Sequence, residues 1–131
     1  MSIRTEVVSI LRERFPDRPF VFPDNAEDVI AVLPGELPEL DPLEIHDDGD
    51  SISVSFGTFS HAHFFGSLKR RERGRGGPEE LADFLQKLFA DRILLWQGRI
   101  AGGITEIKRE PRLRKAADSY VWSRVLRRRA G

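Results

Sequence analysis

Leu43-Glu44-Ile45-His46-Asp47-Asp48-Gly49-Asp50-Ser51-Ile52-Ser53-Val54-Ser55-Phe56 is the stretch that decides the fold class. From Ser51 to Phe56 polar and apolar residues alternate strictly, which is the period of a half-buried strand. Ile52, Val54 and Phe56 therefore face a core and the serines face away from it. Upstream, Leu43–His46 reads as the partner strand. Asp48-Gly49 suits a type I′ turn, where both central residues need positive φ. Gly57 breaks the alternation, as a bulge or second turn does, and Phe59–Phe65 reads as a further strand.

Toward the N-terminus, Val29–Leu33 is a short apolar run closed by Pro34-Gly35 and reads as another strand. Pro38 and Pro42 make the stretch between these strands a loop. Asp17–Asp28 contains Pro19 and Pro23 and reads as an extended connection. Before it, Ser2 can cap a helix running to about Phe15, with Ile3, Val7, Ile10 and Leu11 at helical spacing. Pro16 ends that helix, because a residue preceding proline is pushed away from helical dihedrals.

Toward the C-terminus comes a second helix near residues 78–91. Pro78 suits a first helical position, and Glu79 and Glu80 complement the positive helix end. Leu81, Phe84, Leu85, Leu88 and Phe89 form its apolar stripe, Phe84 being expected to face the core. Ile93–Trp96 reads as a buried strand, turned at Gln97-Gly98 or Gly102-Gly103 toward Ile104–Lys108. Residues 113–126 fit either a helix or a strand, and the composition of Ser119–Ser123 favours a strand. The whole predicts a single α+β domain over residues 1–131, with a mostly antiparallel sheet, an N-terminal helix and a frayed basic tail after about residue 126.

The composition agrees with one self-sufficient domain. The 131 residues are 40% apolar and 32% charged, and neither disorder nor a membrane protein has that balance. There is no cysteine, so disulfides, thiolate metal sites and cysteine nucleophiles are excluded, and a reducing compartment suits the chain. The charged start, Met1–Glu6, does not read as a signal peptide, and no apolar run is long enough for a membrane span. A soluble cytoplasmic protein without membrane association is the expectation.

Net charge is zero, but the two signs are segregated along the chain. Residues 1–50 carry 13 acidic and 4 basic side chains, and residues 51–131 carry 8 acidic and 17 basic ones. No Lys or Arg occurs between Arg18 and Lys69, where ten carboxylates do. Such a division is expected of a chain that meets an oppositely charged partner, or of two halves that neutralise each other on folding.

The chemistry-bearing patterns are sparse. His61 and His63 would share one face of a strand, and His46 is the obvious third ligand for a metal. With two-residue turns at Asp48-Gly49 and Gly57-Thr58, however, His46 falls opposite Ser51 and His63 opposite Ile52. Those positions face opposite sides of the sheet, so no metal site and no cofactor are expected. Gly74-Arg75-Gly76-Gly77 precedes a helix but lacks both phosphate-loop patterns. Glu106-Ile107-Lys108 with Asp91 matches part of a two-carboxylate nuclease site, in the wrong order relative to the helix. No catalytic residue is assigned.

Three functional expectations follow. The first is a small non-catalytic interaction protein whose acidic segment, residues 24–50, binds a basic protein through Glu44, Asp47, Asp48 and Asp50. Immunity proteins and toxin neutralisers offer an analogy in size and surface charge, and no more than that. The second is a nucleic-acid-associated protein using the basic loop 69–75, with Arg70, Arg71, Arg73 and Arg75, the basic C-terminus, and Tyr120 and Trp122 for stacking. The third is a metal-dependent hydrolase or nuclease.

Overall fold

Ser2 and Pro16 bracket the first helix for separate reasons. In the computed structural model, which describes residues 2–24, 28–38, 40–49, 51–56, 61–64 (backbone), 77–98, 102–110, 113 and 117–128, helix α1 spans Ile3–Arg14. The Ser2 hydroxyl accepts the Thr5 N–H at 3.1 Å, satisfying one of the donors that a helix start leaves open. Phe15 closes the last turn by donating its N–H to Leu11 O at 2.9 Å, and Pro16 follows. Val7 and Leu11 are fully buried. The Arg4 guanidinium donates to the carbonyls of Pro23 at 3.1 Å and Val29 at 2.8 Å, tying α1 to the extended segment beside it.

The first sheet is a meander of four antiparallel strands, β1 (Val29–Leu33), β2 (Leu43–Asp47), β3 (Ile52–Ser55) and β4 (His61–Phe64), in that order. Leu43, Ile45, Ile52 and Val54 have no exposed surface and Phe56 has 2%, as the alternation predicts. A bulge between Val29 and Ala31 lets consecutive residues Ile30 and Ala31 both lie buried. Val21 exchanges two backbone hydrogen bonds with Val32, each 2.8 Å, and lines the outer edge of β1.

The β2–β3 turn departs from the expected two-residue form. The last pair is Asp47↔Ile52, so four residues lie between the strands. The acidic side chains are the cause. The Asp47 carboxylate accepts the Gly49 N–H at 2.9 Å, and Asp48 accepts the Ser51 hydroxyl at 3.2 Å while its N–H donates to Ser51 O at 2.9 Å. These local bonds offer the backbone a wider loop than a type I′ turn. Gly49 takes a positive φ of 92° in this turn.

Helix α2 spans Gly77–Phe89. Leu81, Ala82, Leu85 and Leu88 are fully buried, and Phe84 and Phe89, half-buried, pack against the same core from the margins of that face. The helix ends two residues before the expected Asp91. The Arg92 N–H donates to Lys87 O at 2.9 Å and the Asp91 N–H to Leu88 O at 3.1 Å, a Schellman cap with Asp91 in the left-handed position at φ 60°. Glycine usually fills that position. Aspartate does so here because its carboxylate accepts both the Ser123 N–H, at 3.1 Å, and the Ser123 hydroxyl.

The second sheet follows, formed by β5 (Ile93–Gln97), β6 (Gly102–Glu106), β7 (Asp118–Val121) and β8 (Arg124–Arg127), in the order β6-β5-β7-β8 and antiparallel throughout. The ambiguous C-terminal stretch is thus a hairpin, and pairing continues to Arg127. Gly102 and Gly103 are strand residues, not the turn. A Cβ on Gly103 would stand 2.5 Å from the Trp96 indole, which lies against that backbone. Both helices and both sheets contribute to one apolar core, and the fold is a single α+β domain.

Two stability measurements check this packing. Leu85→Ala should cost about 2–5 kcal/mol in denaturant melts and Phe84→Ala clearly less, since only the leucine leaves an enclosed cavity. Asp91→Ala should cost about 1–3 kcal/mol through left-handed strain and lost hydrogen bonds, while Asp91→Asn, which tolerates that backbone and keeps an acceptor, should lie near wild type.

Candidate functional site

The stretch between Arg18 and Lys69, which holds no Lys or Arg, supplies all four strands of the first sheet, and Arg4 and Arg18 of the N-terminal segment reach it at Val29 O and Glu36. Its described carboxylates fall into three settings. Asp24, Asp28, Asp41 and Asp48 are exposed, at strand ends and in loops. Glu36 lies 2.7 Å from the Arg18 guanidinium, where the end of the N-terminal segment meets this half. The other two described, Asp47 and Glu44, are engaged within the hairpin: Asp47 by the turn, and Glu44 beside His46, whose Nε2 lies 3.5 Å from Glu44 Oε1. Of the four expected partner-binding residues, Asp47 and Asp48 meet at the tip, Glu44 sits farther down β2 and Asp50 lies outside the described residues.

Register corrects the reading of the histidines. His46 pairs with Ser53, not Ser51, because the turn holds two more residues. His63 also pairs with Ser53, not with Ile52, and His61 pairs with Ser55. The first change keeps the parity of β2 and the second reverses that of β4. Positions 46, 61 and 63 therefore share the face of the sheet that carries Glu44, Ser53 and Ser55, opposite the core. Among the described side chains no group of three potential metal ligands is assembled.

The other candidates separate clearly. Tyr120 and Trp122 are 4% and 1% exposed and belong to the core, so they offer no stacking surface to a base. Half-buried Trp96 is the aromatic on the outer face of the second sheet. Arg70, Arg71, Arg73 and Arg75 lie outside the described residues, as does most of the glycine-rich loop. Asp91 and Glu106, the carboxylates of the partial nuclease pattern, each have a structural partner. Asp91 holds Ser123, and Glu106 meets the Lys87 ammonium at 2.8 Å. The hydrogen bond from Lys87, and then its charge, holds the Glu106 carboxyl below the usual glutamate range.

No protein-family model matches the chain, and neither a curated protein nor a solved structure is significantly similar to it.

A lowered folded-state pKa means that the Glu106–Lys87 contact supports the fold above the unfolded glutamate value and loses that effect as pH falls through the folded value. An NMR titration should place Glu106 below the ordinary glutamate range, and Lys87→Met should raise it toward that range.

Proposed function

We propose that this protein is a non-catalytic binding module whose first sheet presents carboxylates to a basic protein partner. One observation supports the reading: the strands of the first sheet come from the stretch between Arg18 and Lys69, which holds no Lys or Arg, and Asp24, Asp28, Asp41 and Asp48 within it are exposed. An acidic surface of this kind accelerates encounter with a basic partner and fixes its orientation more than it deepens affinity. The same economy serves proteins that neutralise basic toxins, an analogy of charge alone. Absence of cysteine suits work in a reducing compartment such as the cytoplasm. Nothing in the arrangement of Asp91, Glu106 and Lys108 favours hydrolysis.

The nucleic-acid reading keeps its basic residues, among them Arg124 and Arg127 on β8, but has lost Tyr120 and Trp122 as stacking groups. Retention on heparin that falls steeply with salt would favour it over the acidic-surface reading.

The direct check replaces Asp47, Asp48 and Asp50 with Asn. Asparagine preserves the side-chain acceptor on which the turn relies, so the melting temperature should hardly change. Association with a basic protein co-purified from the native cell should slow several-fold at low ionic strength, and the difference should shrink as salt is added. An unchanged association rate at low salt would refute the role of this turn.

A further inference from the structure

The connection that follows α1 builds a row of aromatic rings with a guanidinium at each end. Phe20 stacks on Phe22, with ring centroids 6.2 Å apart and planes inclined by 23°, and it meets Phe89 of α2 at 6.5 Å. The Arg12 guanidinium lies 5.0 Å from the centroid of Phe22, and that of Arg18 lies 4.1 Å from the centroid of Phe89. Backbone bonds hold the chain in this course. The Phe20 N–H donates to Arg18 O at 2.9 Å, and Val21 is paired with Val32 of β1. Pro16 and Pro19 stiffen the same connection by fixing their own φ angles.

Both arginines line one cleft of about 240 Å³, together with Leu11, Phe15, Pro16 and Phe20. Its walls are apolar, and its two cations have donors left over. Arg12 makes no hydrogen bond or ion pair among the described residues. Arg18 uses one N–H, from Nη1, on Glu36 at 2.7 Å, whereas a guanidinium offers five. Arg14 differs, because both of its terminal nitrogens are engaged, by Asp83 and by Gln86. Glu13 and Asp17, the carboxylates nearest in sequence, do not line this cleft.

Size and order of charge decide the occupant. Sites for cofactors and drug-sized molecules run to about 300–1,000 Å³, so this smaller cleft suits a single bulky side chain. A nucleobase stacks on an open ring face. Here guanidiniums lie over Phe22 and Phe89, and Phe20 packs against both rings. An apolar centre flanked by two cations is complemented by an apolar group flanked by anions.

We infer that this cleft docks an acidic peptide, with one bulky apolar side chain entering it and neighbouring carboxylates meeting Arg12 and Arg18. Guanidinium and carboxylate match as two N–H donors to two oxygens, and each guanidinium is already placed over its ring, so little side-chain freedom is lost on binding. The surface belongs to α1 and its connection, apart from the exposed carboxylates of the first sheet. It takes a partner of the opposite charge to the one proposed above and does not rest on that reading.

A random peptide library displayed on phage and selected on the immobilised full chain should enrich sequences in which one large apolar residue stands among aspartates and glutamates. A fluorescein-labelled peptide from that pool should bind more weakly as salt is added, and about tenfold or more weakly to Arg12→Glu. Arg12 is exposed, so this variant should keep the wild-type circular dichroism spectrum. Replacing the peptide's apolar residue with serine should abolish binding. In two-dimensional NMR spectra the peptide should shift the amides of residues 11–22 and leave those of residues 41–48 in place. Failure to enrich acidic peptides, or wild-type affinity in Arg12→Glu, overturns the site. Displacement of the labelled peptide by oligo-uridine at lower concentrations than by unlabelled peptide overturns it in favour of nucleic acid.

Discussion

Burial of one face of α2 is the constraint on which the rest of the structure depends. Leu81, Leu85 and Leu88 have no exposed surface and belong to a core that includes Ile45 and Val54 of the first sheet and Leu95 and Tyr120 of the second. An antiparallel sheet with one apolar face must cover it, and here two sheets are joined through a shared core. Each enclosed leucine contributes about 1.5–3 kcal/mol, which makes this face a large share of a small domain's net stability. The C-terminal end of the helix is fastened accordingly. Phe89 meets the edge of Phe15 at 5.2 Å between ring centroids and Trp122 at 6.0 Å, and the Arg18 guanidinium lies 4.1 Å over its ring. Immediately beyond, Asp91 clasps Ser123 of the β7–β8 turn.

Elements with strong local signals were legible in the residues themselves. Ser2 and Pro16 mark α1 because capping and proline sterics act within a few residues, and Ile52, Val54 and Phe56 mark a buried face because alternation needs no partner to be read. Asp91 was misread as helical for a comparable reason. Its left-handed conformation is supported by Ser123, 32 residues away, and no local pattern announces that. Gly103 looked like a turn because the reason for a glycine there, the indole of Trp96, comes from the neighbouring strand.

The candidate site was less legible, and the loss came at the turns. A strand's faces exchange whenever its register moves by one residue, so every statement about which side chains meet depends on the length of the connections. Asp47 and Asp48 are common turn formers, but their carboxylates bond the backbone of Gly49 and the side chain of Ser51 and widen the loop. Composition identified the histidines as the chain's candidate metal ligands without revealing that they share a face. The acidic character of the first half was plain from counting. Which of its carboxylates lie exposed required the sheet itself.

The outermost strand of the second sheet, Arg124-Val125-Leu126-Arg127, bears on how copies of the protein behave together. An exposed sheet edge displays unpaired backbone groups that invite another chain to extend it. The opposite margin of the first sheet is already occupied by Val21 along β1. At β8 the safeguard is electrostatic, because two arginines begin and end a strand of only four residues. A second copy aligning there would bring its own arginines against them, and desolvating such pairs is unfavourable. The two charges thus disfavour edge-to-edge association of copies at this strand, a protection that counter-ions would weaken.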